Sequence, residues 1–189
     1  MPLSDELTRH GLSDAVARVV ETQGDLLRMR TVEAGVEFAI ALDAETGASV
    51  GLPLKGTAAG VDMDDHVRAM RVDGRYVAIH THPASSAFSD VDVATFLRVR
   101  MLATMVVVGL DRTWYVLSKS PGADLPDPVE AAGRLRAEVL RLMPWYRAQV
   151  QAGRIDPREA WRVHSNEAWL TVAPEVGLRY SRVETSEAR

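Results

Sequence analysis

"AIHTHPASSAFSDVD" (78–92) places two histidines one residue apart, a proline directly after the second, and a serine and an aspartate three apart. On an extended segment side chains alternate, so His80 and His82 point to one side and their imidazoles can converge. Asp92 can join them after the loop. Two imidazoles and a carboxylate, with a fourth position left for water, suit a borderline metal such as Zn²⁺ in a catalytic arrangement. The same letters also describe a strand that runs through a polar loop into a capped helix. Ser89 then reads as the N-cap, Asp92 as the capping-box acid, and Phe88 with Val93 as a hydrophobic staple. The two readings are compatible, because a cap can fix the rotamer of a liganding aspartate.

Outward from this stretch, "RYVAIHTH" (75–82) reads as a strand with a buried middle. Pro83 lacks an N–H and holds His82 extended, so sheet pairing should stop there. A helix is expected at 90–101, a central strand at "ATMVVVG" (103–109), a turn at 111–112 and a further strand at "TWYVLSKS" (113–120). Upstream, "VEFAIALD" (36–43) reads as a strand, "AETG" (44–47) as a turn and "ASVGLPLKG" (48–56) as the antiparallel return. Residues 62–70 fit either a short helix or an irregular strand. Residues 3–30 read as helical, with Gly24 as the point of division if two helices form. "PGADLPDP" (121–128) is a linker by composition, followed by helices at 129–151, bent at Pro144, and at 157–172, then a last strand at 177–184. Trp145, Trp161 and Trp169 are expected to pack this extension onto the body. The fold class is α/β, or α+β with a mainly antiparallel sheet, and helices before, within and after it. Residues 1–120 form the core and 121–189 a linker and helical extension packed on it.

The 189 residues suit one domain, and 47% hydrophobic content provides for a core without staples. The absence of cysteine excludes disulfides, thiolate metal sites and cysteine nucleophiles. A net charge of −4 with interspersed signs argues against a broad nucleic-acid face. No apolar run reaches the roughly 18 residues of a membrane span. The polar, acidic opening "MPLSDELTRHGLSD" is unlike a secretory signal, so a cytoplasmic location is expected.

H-x-H-P followed by S-x-x-D resembles the metal motif of the JAMM (MPN+) metallopeptidases over about residues 33–120. The resemblance implies a JAMM/cytidine-deaminase-like mixed sheet flanked by helices and zinc-dependent hydrolysis of peptide or isopeptide bonds, often to ubiquitin-like proteins. It implies His80, His82 and Asp92 as Zn²⁺ ligands and Ser89 as the serine that stabilises the tetrahedral intermediate. Five residues (84–88) separate proline from serine, where the eukaryotic pattern usually has six. In this the chain is similar to some bacterial and phage-associated members.

The family also needs an upstream glutamate as general base. Glu33 lies at a helix-to-strand junction, Glu45 in the hairpin turn, and Glu37 at the start of "EFAIALD", the placement that matches best. An acid beside buried apolar residues should have a raised pKa. Among other residues, His10 and His66 read as surface histidines, and His164 as a packing or capping residue. Asp90 reads as a helix-dipole acid and Thr81 as facing away from the histidines. Ser85 and Ser86 fit either a polar loop or a substrate contact. The implied partner is a protein or peptide substrate, ubiquitin-like proteins included. The C-terminal helices are a surface for a homodimer or another partner. A non-catalytic scaffold and a DNA-associated RadC-like role are the alternatives. The full set of Glu37, His80, His82, Ser89 and Asp92 weighs against the first, and the net acidity against the second.

Overall fold

The computed structural model describes residues 2–120 and 122–185. Pro121, the first residue of the expected linker, lies outside the described residues. In chain order the elements are α1 (Leu3–Arg9), α2 (Asp14–Ala34), β1 (Phe38–Asp43), β2 (Leu54–Lys55), α3 (Asp64–Ala69) and β3 (Tyr76–His82). Then come α4 (Asp90–Arg98), β4 (Leu102–Gly109), β5 (Thr113–Lys119), α5 (Pro128–Gln151), α6 (Pro157–Glu175) and β6 (Leu178–Glu184).

The strands form one mixed sheet in the order β2-β1-β3-β4-β5-β6. Only β3 and β4 run parallel, joined by the α4 crossover, so the expected mainly antiparallel α+β sheet is present. The segment after residue 120 contributes the edge strand β6 as well as two helices.

Strand alternation sorts the core into two layers. Phe38, Ile40, Leu42, Val77 and Ile79 face α1 and α2 in one cluster. Ala39, Ala41, Ala78, Met105 and Val107 lie in the other with Phe96 of α4 and Trp169 of α6. His80 and His82 share the parity of Ala78 and therefore belong to the α4–α6 side. Thr81 faces the opposite layer, where its hydroxyl lies 2.6 Å from that of Thr31 on α2 and accepts the Phe38 amide.

Several local expectations change. The N-terminal helical region divides at residues 10–13 rather than at Gly24. Gly11 takes φ +90°, which suits glycine, and Ser13 caps α2 by accepting the Val16 amide. Gly24 stays inside α2 because Trp114 packs on it. A Cβ there would lie 2.4 Å from the indole ring. Gly24→Ala is therefore expected to destabilise the fold by about 1–3 kcal/mol through overpacking, measurable by urea unfolding. The return strand shrinks to Leu54–Lys55, with a lone bridge at Leu42–Ser49. Gly51 and Pro53 interrupt it, and Pro53 has no donor for the ladder. The open segment at 62–70 is helical, and Asp62 Oδ1 accepts the Asp64 amide at its start.

His10 and His66 are not surface residues: they are 6% and 2% exposed. Their sequence neighbours are polar, but their partners come from elsewhere in the chain. His66 Nε2 lies 3.0 Å from the Leu52 carbonyl. His10 sits in a directional chain of hydrogen bonds. Arg179 donates to Ser118 Oγ, Ser118 to His10 Nδ1, His10 Nε2 to Ser181 Oγ, and Ser181 to Glu6. This chain requires the neutral imidazole with its proton on Nε2.

Burial first, then the Arg179 charge, lower the His10 pKa to about 4, against a smaller upward pull from Glu6. In the unfolded chain it returns to about 6.5, so the unfolded state binds the extra proton between these values. Stability is complete above about pH 6.5 and lost as pH falls towards 4, by up to about 3 kcal/mol. Urea midpoints across this window should fall in the wild type and fall less in His10→Gln.

Of the three C-terminal tryptophans only Trp169 is buried, while Trp145 and Trp161 are 56% and 46% exposed. On α6 the buried residues are Ala160, His164, Ser165, Ala168, Trp169, Val172 and Ala173, so Trp161 shares a face with Ser165 and Trp169 but lies in the first turns of the helix, where it stays half exposed. Trp145 sits beside buried Tyr146 on α5. His164 is a packing residue as expected, stacked on Tyr146 with Nε2 at 2.8 Å from the Val139 carbonyl.

Candidate metal centre

β3 is buried along its whole length, and its C-terminal end carries the two histidines into the α4–α6 layer. His82 pairs with Gly109 at the end of the ladder, and Pro83 stops it. The loop then turns sharply. Ser85 takes φ +53°, and its amide bonds the His82 carbonyl at 2.9 Å.

Distant elements hold this loop in place. Tyr115 of β5 donates to the Ser85 carbonyl at 2.9 Å, Ser165 of α6 accepts the Ala87 amide at 3.1 Å, and Trp169 Nε1 donates to the Phe88 carbonyl at 2.7 Å. Gly109 makes room: a Cβ there would lie 2.9 Å from the Ser85 side chain. Sequence reasoning missed Tyr115, Ser165 and Trp169 as positioning residues. Ser165 and Trp169 stand one helical turn apart, a signal of a shared face, but nothing local says which loop that face meets.

The helix start is the expected one. Ser89 Oγ accepts the Asp92 amide, and Asp92 Oδ2 accepts both the Ser89 amide at 2.6 Å and the Ser89 hydroxyl at 2.7 Å. Asp90 leaves α4 to pair with Arg136 of α5. With Oδ2 engaged by Ser89, Asp92 presents Oδ1 to His80 Nε2 at 3.3 Å.

The two Nε2 atoms lie 3.1 Å apart, and His82 Nε2 lies 3.5 Å from Asp92 Oδ2. A tetrahedral ion with bonds of about 2.0–2.1 Å separates its ligand atoms by about 3.3 Å. The His80–His82 spacing and that from His80 to Asp92 Oδ1 come close to that edge length, the 3.5 Å contact of His82 being with the other carboxylate oxygen; these three residues are the metal-capable group among the described residues, with one donor atom of each within 4.8 Å of the others. The tautomer fits as well. His82 Nδ1 donates to the Ser86 carbonyl at 3.0 Å, which frees the Nε2 lone pair. Ser86 is thus a support for His82. The group can hold a metal ion.

Charges here are coupled. Burial pushes the Asp92 carboxyl up, but the charges and hydrogen bonds of His80 and His82 hold it well below the usual carboxylate range. Burial, the largest effect, pulls His82 down, and Asp92, Glu37 and the Ser86 carbonyl together carry it above its ordinary value.

Of the three candidate bases, Glu33 is exposed on α2 and Glu45 is exposed in the turn after β1. Glu37 is buried and lines the same cleft as the three donors. The β1–β3 register pairs Ala39 with His80, so two residues earlier Glu37 falls opposite His82 on the same face. Its backbone is held by Thr57 and Gly56. Burial raises its pKa, His82 and His80 pull it back, and Asp92 raises it further. The cleft encloses about 1130 Å³ and runs from this centre between the 58–67 segment and α4.

Comparison with protein families, with curated proteins and with solved structures finds no match. Among the described residues no helix is long and apolar enough to cross a membrane.

Ser89→Ala removes the cap and the tether on Asp92 together. It is expected to lower stability by about 1 kcal/mol and metal affinity by about 10- to 100-fold. Unfolding of the metal-free chain and zinc titration against a competing chelator read the two effects separately.

Proposed function

We propose that the chain is a zinc-dependent hydrolase of peptide or isopeptide bonds, of the JAMM type. One observation carries the reading: two imidazoles and a carboxylate converge, one donor atom of each within 4.8 Å of the others, with a buried glutamate in the same open cleft. Two imidazoles and a carboxylate are a donor set that zinc takes in catalytic sites. Zinc, when bound, supplies a Lewis acid that polarises a carbonyl and brings the pKa of water to about 7.

The chain's own residues supply the rest. His80, His82 and Asp92 would hold the ion at the edge of the cleft. Glu37 takes a proton from the attacking water and delivers it to the leaving nitrogen. Burial raises its pKa, the direction that suits a carboxylate that must both accept and release a proton. Ser89 has its hydroxyl turned to Asp92 Oδ2. Its first work is to hold that ligand. To serve a developing oxyanion the hydroxyl must rotate from Oδ2 into the cleft.

The test is a cleavage screen over peptides and isopeptide-linked conjugates, run with zinc-loaded and chelated protein and with metal content measured. One zinc per chain and zinc-restored cleavage are expected. A chain that binds one zinc tightly yet cleaves nothing would make this fold a scaffold instead.

A further inference from the structure

The cleft has a charged end that the proposed chemistry does not use. Val91, Thr95 and Arg98 stand at i, i+4 and i+7 on α4, so one face of the helix lines the cleft away from Asp92. Arg100 follows just beyond the helix end and also lines it. Both arginines are exposed.

Among the described residues, neither has a carboxylate partner; the Arg98 guanidinium only touches Thr95 Oγ1, at 3.4 Å. The acids of the same cleft are differently placed. Asp90 pairs with Arg136, Asp64 lies 3.7 Å from Arg68, and Asp62 Oδ1 is taken by the Asp64 amide. Asp62 keeps its charge on the 58–67 side of the cleft, and on the α4 side the lining cations without an acidic partner are the two arginines. They stand out in a chain of net charge −4. Behind them Lys119 Nζ donates to the Val99 and Arg100 carbonyls and ties down the end of α4.

Geometry gives the spacing. Six residues of helix rise about 9 Å from Asp92, the donor that α4 brings to the centre, to Arg98. An extended peptide covers that distance in about three residues at roughly 3.3 Å each. Resting on the peptidase reading, we propose that the cleft selects substrates with an acidic side chain or a terminal carboxylate about three residues from the scissile bond, held by Arg98 and Arg100. A tail rich in arginine would meet repulsion at the same place.

The full chain loaded with zinc is tested on short peptides in which one position is glutamate, glutamine or lysine, with cut sites mapped by mass spectrometry. Glutamate peptides should be cleaved about 10-fold faster than glutamine peptides, with cuts about three residues from the acid. The preference should shrink at about 1 M salt, where the screening length falls to about 3 Å. The double variant Arg98→Glu/Arg100→Glu should keep its zinc and turn the preference towards lysine. Equal rates for all three peptides, or a preference unchanged in the double variant, overturn the proposal. If zinc loads but no peptide is cut, the peptidase reading fails. Anisotropy with the same labelled peptides then decides the cleft's selectivity: tighter binding of glutamate over lysine peptides sustains it, and equal binding sinks it.

Discussion

Glu37→Gln is expected to retain zinc and lose turnover by about 10²- to 10⁴-fold, the range that a positioned general base contributes. The substitution is nearly isosteric, and the Glu37 backbone bonds to Thr57 and Gly56 remain available. What disappears is the ability to take and return a proton. Stability should change little or rise, because a buried carboxylate is replaced by a neutral amide. The separating measurement is metal content beside kcat. Wild-type kcat in the variant would remove Glu37 from the mechanism. Lost kcat together with lost zinc would instead make Glu37 a support of the ion.

His80→Ala should abolish stoichiometric zinc, with affinity reduced by more than the roughly 100-fold that loss of a residue hydrogen-bonded to a ligand costs. Its Nε2 contacts both other donors, at 3.1 Å from His82 Nε2 and 3.3 Å from Asp92 Oδ1. Removing it leaves two ligands and opens a gap beside Phe88. Asp92→Asn is the gentler companion, since its side-chain oxygen can still accept at the helix cap while the anionic ligand is gone. Both variants should remain folded by circular dichroism and fail to retain zinc on dialysis. Full zinc occupancy in both would show that the three donors do not form the binding site.

The helix-strand order and the alternation that puts His80 and His82 on one face follow from local pattern and were legible in the chain. So was the capping box, because Ser89 and Asp92 lie within one helical turn and need no distant partner. Glu37 was legible only in part. Its place on the first strand could be read, but its position opposite His82 depends on β1–β3 register. The burial of His10 was not legible, since its partners Ser118 and Ser181 lie on β5 and β6, far along the chain. The exposure of Trp145 and Trp161 shows the same limit from the other side. An aromatic residue announces apolar area, yet whether a neighbouring element covers it is decided by tertiary packing.

The sequence by itself determined the local parts: a strand that aims two histidines, a proline that ends it, and a capped helix that carries the aspartate. These depend on dihedral preference, alternation and short-range hydrogen bonds. Tertiary structure decided how the parts meet. The loop 83–88 is fixed by Tyr115, Ser165 and Trp169, Glu37 is brought across by strand register, and Arg98 and Arg100 are left facing the cleft. Those contacts join residues distant in the chain, and their energy comes from packing two layers on one sheet, which no local pattern encodes.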